Sequence, residues 1–418
     1  MSAIETQQVD TTPLAQIDVS RPELFQNDTW HPWFARLRQE APVHYLENSR
    51  NGPFWSVTSH QLIKEVDANN TVFSSEKGGI AIVDAPPPKE GEMQGRSFIG
   101  MDEPEHSKQR GAVSPTVQPR NLAGLQPLIR ERVIDILDNL PVGETFNWVQ
   151  EVSIELTARM LATIFDFPYE DRRKLVRWSD LATNVPEVTG DENIDMRERY
   201  DELMGAVAAF YQLWMAKQGQ PPAFDLISML QHNPETAKMN EDPETFFGNI
   251  MLLIVGGNDT TRNSISGGVI GLNKYPDQYE KLRQDHSLIP NMVAEMIRWQ
   301  TPVIHMRRTA LTDYELGGQR IREGDKVVMW YLSGNRDESV FEDADKLIID
   351  RPNARAHVSF GFGVHRCMGN RLAEMQLQVL WEEIVKRFHT VEVVGDVERL
   401  PNNFIRGIRN VPVRLHPI

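Results

Sequence analysis

The chain has 418 residues, with 59 acidic against 44 basic side chains and a formal net charge of −15. That balance favours solubility and argues against nucleic acid as a general partner, and no run of about 18 apolar residues suggests a membrane span. A single cysteine excludes an intrachain disulfide framework, and the start, Met1-Ser2-Ala3-Ile4-Glu5-Thr6, lacks the basic and apolar regions of a secretory signal, so a soluble, cytoplasmic protein is expected.

Residues 1–26 are polar and read as a loose arm. A short helix is expected at 33–39. Residues 43–47 and 54–58 flank Asn51-Gly52-Pro53 and predict an antiparallel hairpin. From 78 to 100 the chain turns irregular, with prolines at 86–88 and Gly91. A loop of that length inside a compact protein is usually functional or disordered. Asp102-Glu103-Pro104-Glu105 then reads as a helix start, with Asp102 as its cap. His106 and Arg110 follow at i, i+4 and share one face, either a solvated one or one aimed at a buried anion. Helical patterns fill 122–140, 148–166, 170–183 and 195–217, the last two parted by a break with Pro186 and Gly190.

A longer helix begins near Asp242-Pro243-Glu244 and runs about 30 residues to Lys274. Its middle reads Gly256-Gly257-Asn258-Asp259-Thr260-Thr261. Each interior glycine costs about 1 kcal/mol relative to alanine, and an acid and two hydroxyls interrupt the apolar stripe. Such local conflict is expected at functional sites, although a simple kink is the plainer alternative. Thr260 lies one turn beyond Gly256 on the same face, and Asp259 beside it can feed protons.

Glu295 and Arg298 are spaced i, i+3, a pattern most often worth under about 1 kcal/mol at a surface. Thr301 to Arg308 leaves that helix as a strand, where Arg307 and Arg308 point to opposite faces. Near the end, Phe404-Ile405-Arg406-Gly407 reads as a turn.

The lone cysteine sits in Phe360-Gly361-Phe362-Gly363-Val364-His365-Arg366-Cys367-Met368-Gly369, just before an apolar-periodic helix over 370–388. It is either a buried small hydrophobe or a thiolate favoured by the helix start, whose free N–H groups and positive dipole end stabilise S⁻. Zinc lacks its four-ligand spacing here, whereas haem needs only one protein ligand, and thiolate is a known choice.

This segment resembles the cysteine-ligand loop of the cytochromes P-450, Phe-Gly-x-Gly-x-His/Arg-x-Cys-x-Gly, at every specified position. The resemblance runs from about Asn27 to the C-terminus. It implies a single catalytic domain over 27–418, mainly α with small β-sheets, with haem b between the long central helix and the cysteine loop. It implies Cys367 as the metal ligand, with Phe360, Gly369 and Gly256 shaping the cofactor site. His106, Arg110, Arg308 and His365 would meet the haem propionates. The Gly-Gly-x-Asp-Thr segment of the family matches residue for residue, so Asp259 and Thr260 are expected to manage protons for oxygen activation. The family's Glu-x-x-Arg pair would be buried at Glu295 and Arg298 and joined by Arg351, as a structural brace for the cysteine loop.

The resemblance places substrate contacts on the 78–100 loop, at Ile80, Ile82, Phe98 and Ile99, and on Val303 and Ile304. With Leu252, Leu253, Val255, Phe404 and Ile405 these make an apolar lining suited to a hydrocarbon. The Val303–Arg308 strand and the Phe404–Gly407 turn are similar to the bacterial branch that hydroxylates alkanes and fatty chains at the terminal carbon. A terpene or aromatic hydroxylase is the alternative within the family, and a haem-thiolate gas sensor an alternative of another class. No reductase or ferredoxin segment is present. Electrons from NAD(P)H are therefore expected through a small acidic ferredoxin and a separate reductase, docked on a basic patch of Lys108, Arg110, Arg120, Arg366 and Arg371.

Overall fold

The computed structural model describes residues 8–84 and 93–418; the proline run at 86–88 and Gly91 lie outside them. The longest helix, Pro243–Lys274, spans 32 residues. Asp242 starts it by accepting a hydrogen bond from the Thr245 N–H, and Pro243 occupies the first turn, where no N–H is needed. Helices Glu155–Phe165, Arg172–Thr183 and Ile289–Gln300 pack around it. A Cβ at Gly267 would stand 2.5 Å from Gln300 Oε1, and one at Gly268 would stand 2.7 Å from Met296 Sδ. The helix has given up side chains there so that its neighbour can approach closely.

The remaining helical patterns appear as Pro119–Asp138, a π-helical turn Val149–Ile154 running into Glu155–Phe165, then Arg172–Thr183 and Met196–Lys217. The break between the last two holds a single turn, Pro186–Thr189, closed by Gly190 in the left-handed region at φ 77°.

Five short strands form the main sheet, in the order Val43–Leu46, Phe54–Val57, Lys326–Met329, Met306–Ala310 and Phe73–Ser74. The first two are the expected hairpin, with Val43 opposite Val57 and Leu46 opposite Phe54. Phe54–Val57 pairs in parallel with Lys326–Met329, and the other pairs are antiparallel. A second sheet gathers Thr145–Asn147, Pro412–Pro417 and Phe388–Val393.

Three expectations need correction. Residues 8–26 are not a loose arm: Val9, Ile17, Val19, Leu24 and Phe25 are buried in a cluster with Trp30, Phe34 and Trp330. Arg36 Nη1 also donates to the carbonyls of Val9 and Thr12. The apolar side chains there are too few and too scattered to show a period, yet each finds a place in the core. Asp102 does not cap the helix Glu105–Val113; its carboxylate accepts from Ser74 Oγ and the Ser75 N–H. The helix after the cysteine ends at Ile384, and Phe388, expected to extend it, opens a strand.

Candidate active site

The cysteine loop is shaped by backbone contacts. Gly361 and Gly363 take φ of 66° and 70°, the left-handed region open to glycine. A Cβ at Gly363 would stand 2.5 Å from the carbonyl oxygen of Asp67, so the loop lies directly on the end of the helix His60–Ala68. The Phe362 N–H donates to Asp67 Oδ2 at 2.7 Å, and the Cys367 N–H donates to Phe360 O at 2.8 Å. Helix Asn370–Ile384 starts immediately after Gly369. Cys367 keeps free surface, but in a recess deep among protein atoms. Desolvation there raises its thiol pKa, while the N–H groups of Gly369 and Asn370 and the charges of Arg110 and Arg366 oppose that rise.

Behind the loop, Glu295 and Arg298 have no exposed surface and pair through two 2.7 Å contacts, with Arg351 Nε 3.0 Å from the same carboxylate. Arg298 also donates to the carbonyls of Asn335, Ala344 and Lys346. Asn335 in turn bonds Ser359 Oγ and the Val358 N–H. A continuous set of buried bonds thus runs from Glu295 to the residues that precede Phe360.

On the central helix the two expected glycines differ. Gly256 is exposed, and none of the described residues lies within 4 Å of where its Cβ would sit. A Cβ at Gly257 would meet Leu161 Cδ2 at 2.8 Å. Only Gly256 therefore opens space; Gly257 serves helix packing. Thr260 Oγ1 donates to Gly256 O at 2.9 Å, on the same face. Asp259 turns the other way and is 1% exposed. Its carboxylate meets Arg262 Nη2 at 2.8 Å, Asn258 Nδ2 at 3.0 Å and Thr183 Oγ1 at 3.1 Å. Arg262 also pairs with Asp180, whose side chain is partly exposed. Burial raises the Asp259 pKa, Arg262 lowers it and Asp180 raises it further.

The four residues expected at the propionates lie together. The His106 and His365 rings are 4.0 Å apart between centroids. Burial lowers the His365 pKa, and Arg308, His106 and Arg110 lower it further. His365 Nε2 meets Ser75 Oγ at 3.0 Å, and its Nδ1 is buried without a hydrogen-bond partner among the described residues. The other three already hold protein groups. His106 faces Phe98 O and Val364 O through its two ring nitrogens, and Arg110 Nη2 donates to Arg366 O. Arg308 donates to Asp67 at 2.8 Å and to Arg307 O. Arg307, on the opposite face, pairs with Asp84. An orphaned ring nitrogen, an excess of cations and a thiol facing a recess fit a haem, which is acidic at its rim and needs one sulfur ligand from the protein.

The expected substrate contacts divide. Leu252, Leu253, Val255, Val303 and Phe404 keep free surface, while Phe98 and Ile405 are almost covered. Val303 bridges Ile405, and the Ile304 N–H donates to Phe404 O at 2.8 Å, so two distant segments form one wall. Ile82 and Ile304 are corrections: both have no exposed surface and belong to the core cluster of residues 9–37. They back the wall rather than line it.

Several contributing residues escaped the sequence reading. A Cβ at Gly248 would run into the Arg96 backbone, so this glycine seats the 93–97 segment on the central helix. Asn249 Oδ1 accepts from the Phe98 N–H at 3.0 Å, and Nδ2 donates to Gln109. An amide inside an apolar helical stripe was the available signal.

Residues 191–412 match the family profile described as cytochrome P450. The chain is similar to linalool 8-monooxygenase of Pseudomonas putida, 37% identical, covering 96% of this chain and 99% of that protein. It is 33% identical to a steroid C26-monooxygenase of Mycobacterium tuberculosis, covering 90% of this chain and 87% of the other. Among solved structures it resembles cytochrome P450-153 from Novosphingobium aromaticivorans, at 46% identity and TM-score 0.88. It also resembles CYP153D17 from Sphingomonas sp. PAMC 26605, at 48% identity and TM-score 0.91. Each of these two matches covers 96% of this chain and 99% of the other. The chain therefore belongs to the cytochrome P450 family, and its reaction class is that of the P450 monooxygenases.

Proposed function

We propose that the protein hydroxylates the terminal carbon of medium-length alkyl chains, either alkanes or fatty chains. The observation that carries this reading is the chemistry of the expected substrate contacts that keep free surface: Leu252, Leu253 and Val255 beside Gly256 on the central helix, and Val303 and Phe404, are all apolar. The two relatives support attack at a chain end. Carbon 8 of linalool and carbon 26 of a steroid are both terminal methyl carbons.

In this reading Cys367 would ligate a haem b, and His106, Arg110, Arg308 and His365 would hold its carboxylates. Bound haem supplies dioxygen activation and insertion of one oxygen atom into a C–H bond, the other leaving as water. The protein supplies binding, orientation and protons. Thr260, with its proton given to Gly256 O, keeps lone pairs free to hold a water at the open turn. Asp259, its pKa raised by burial against the opposing charge of Arg262, is placed to hold and pass a proton, and Arg262 links it to the more exposed Asp180. Electrons arrive from a separate ferredoxin and its reductase, with NAD(P)H as the source.

A terminal C–H bond is stronger than the internal ones, so terminal selectivity must come from presentation of the chain end. A 10:1 preference needs about 1.4 kcal/mol between transition states, within reach of one or two methylene contacts. The test is gas chromatography of products from octane, dodecanoic acid and linalool with a reconstituted electron supply. Mainly 1-octanol and ω-hydroxy acid support the reading. Mainly internal octanols overturn terminal selectivity, and turnover of linalool alone moves the assignment to a terpene hydroxylase, the reading that the Pseudomonas relative favours.

A further inference from the structure

We propose that His305 is the positioning residue that locks three separate segments at and behind the pocket wall into one arrangement and thereby helps set which substrate carbon is attacked. The inference rests on the pocket reading given above. His305 has no exposed surface. Its Nε2 lies 3.0 Å from the backbone nitrogen of Ile82. A backbone amide can only donate, so Nε2 is the acceptor and carries no proton. The proton is on Nδ1, which donates to Asn403 O at 2.9 Å. The ring thus joins the 80–84 segment to the 402–405 turn, and its own backbone continues from Val303 and Ile304. It also packs edge-on against Phe404, with centroids 5.3 Å apart, and lies 5.0 Å from the Trp330 ring. Deep burial lowers its pKa to about 4, so the single tautomer these bonds require is the one present at neutral pH.

Each end of this bridge is itself held. Ile80 O accepts from the Arg307 N–H at 2.7 Å, Ile82 O accepts from Lys326 Nζ at 2.9 Å, and Asp84 pairs with both cations. At the other end, the Asn403 N–H donates to Val188 O in the turn Pro186–Thr189, and Asn403 Nδ2 donates to Ser20 O. Asn402 Oδ1 accepts from the N–H groups of Phe404 and Ile405. His305 is the link between these two fastened groups, and Phe404, which packs against its ring, keeps free surface.

The test uses the haem-loaded protein and three variants. The amide of His305→Asn reaches the position of Nδ1 and can keep the bond to Asn403. That of His305→Gln reaches the position of Nε2 and can keep the bond to Ile82. His305→Phe keeps ring volume and loses both bonds. Hydrogen–deuterium exchange is read at Ile82, and the ratio of primary to internal octanols is read beside the carbon monoxide band. Exchange at Ile82 is expected to rise at least tenfold in His305→Asn and His305→Phe but not in His305→Gln. The product ratio is expected to fall several-fold in His305→Phe, with the carbon monoxide band unmoved. Equal exchange in all four proteins, or an unaltered product ratio in His305→Phe, overturns the proposal. Internal octanols from the unsubstituted protein would instead overturn terminal selectivity, and a shift in that internal distribution together with the exchange pattern would still decide the role of His305.

Discussion

Thr260 and Asp259 are neighbours in sequence and face different surroundings, the open turn at Gly256 for one and a buried ion network for the other. Their substitutions should therefore fail differently. Thr260→Ala should leave substrate binding intact and divert electrons into peroxide, seen as NAD(P)H consumption that outruns product. Asp259→Asn should slow turnover about 10²-fold, the scale for losing one positioned proton-transfer group. Tight coupling and full rate in both variants would reduce the segment to a helix kink. His305 carries a separate prediction about acid. Its folded pKa of about 4 lies below the ordinary histidine value of 6.5. Between those values the unfolded chain binds a proton that the folded chain does not, so stability drops as pH falls through 6.5. At about pH 5 the loss from this residue is about 2 kcal/mol. Urea melts at neutral and acid pH should show a shallower acid loss in His305→Gln than in the unsubstituted protein; parallel losses would contradict the buried neutral ring.

Glycines of the central helix that read alike in sequence have different tasks. Gly256 faces open space, so Gly256→Ala should fold normally and act only by narrowing the site. Gly248 lies against the Arg96 backbone, which cannot swing aside as a side chain can. Gly248→Ala should cost about 1–3 kcal/mol, the usual range for overpacking, and loosen the Phe98 segment. Thermal melts of the two variants separate these cases, and equal melting temperatures would refute the distinction. The brace behind the cysteine loop makes a larger claim. Glu295→Gln leaves Arg298 and Arg351 buried without their shared carboxylate, a loss of about 3–5 kcal/mol. Poor haem retention should accompany it, because Arg298 reaches the loop through Asn335 and Ser359. A stable variant with full haem content would make the triad dispensable.

Across the whole molecule, an acidic chain exposes the cations Lys108, Arg120, Arg366 and Arg371, of which Arg366 lies in the cysteine loop and Arg371 just after it. If these steer an acidic electron donor, reduction should slow as ionic strength rises, and Arg120→Glu with Arg371→Glu should slow it further at low salt. Stopped-flow reduction that ignores both salt and charge reversal would place docking elsewhere. At this scale it also becomes plain what was readable in advance. Ordered local chemistry was: ten residues around Cys367, the Gly256–Thr260 run, the Glu295–Arg298 spacing and the hairpin all depend on near neighbours along the chain. The sequence by itself thus determined the helices, the candidate thiolate ligand and the family resemblance. Long-range contacts decided the rest. Only the fold buried Val9, Ile17 and Phe25 beside Trp330, withdrew Ile82 and Ile304 from the pocket surface, and turned Asp259 toward Arg262 and Asp180. Burial and hydrogen-bond partners belong to pairs of segments up to hundreds of residues apart, as His305 shows with Ile82 on one side and Asn403 on the other, and local periodicity carries no record of which segments meet.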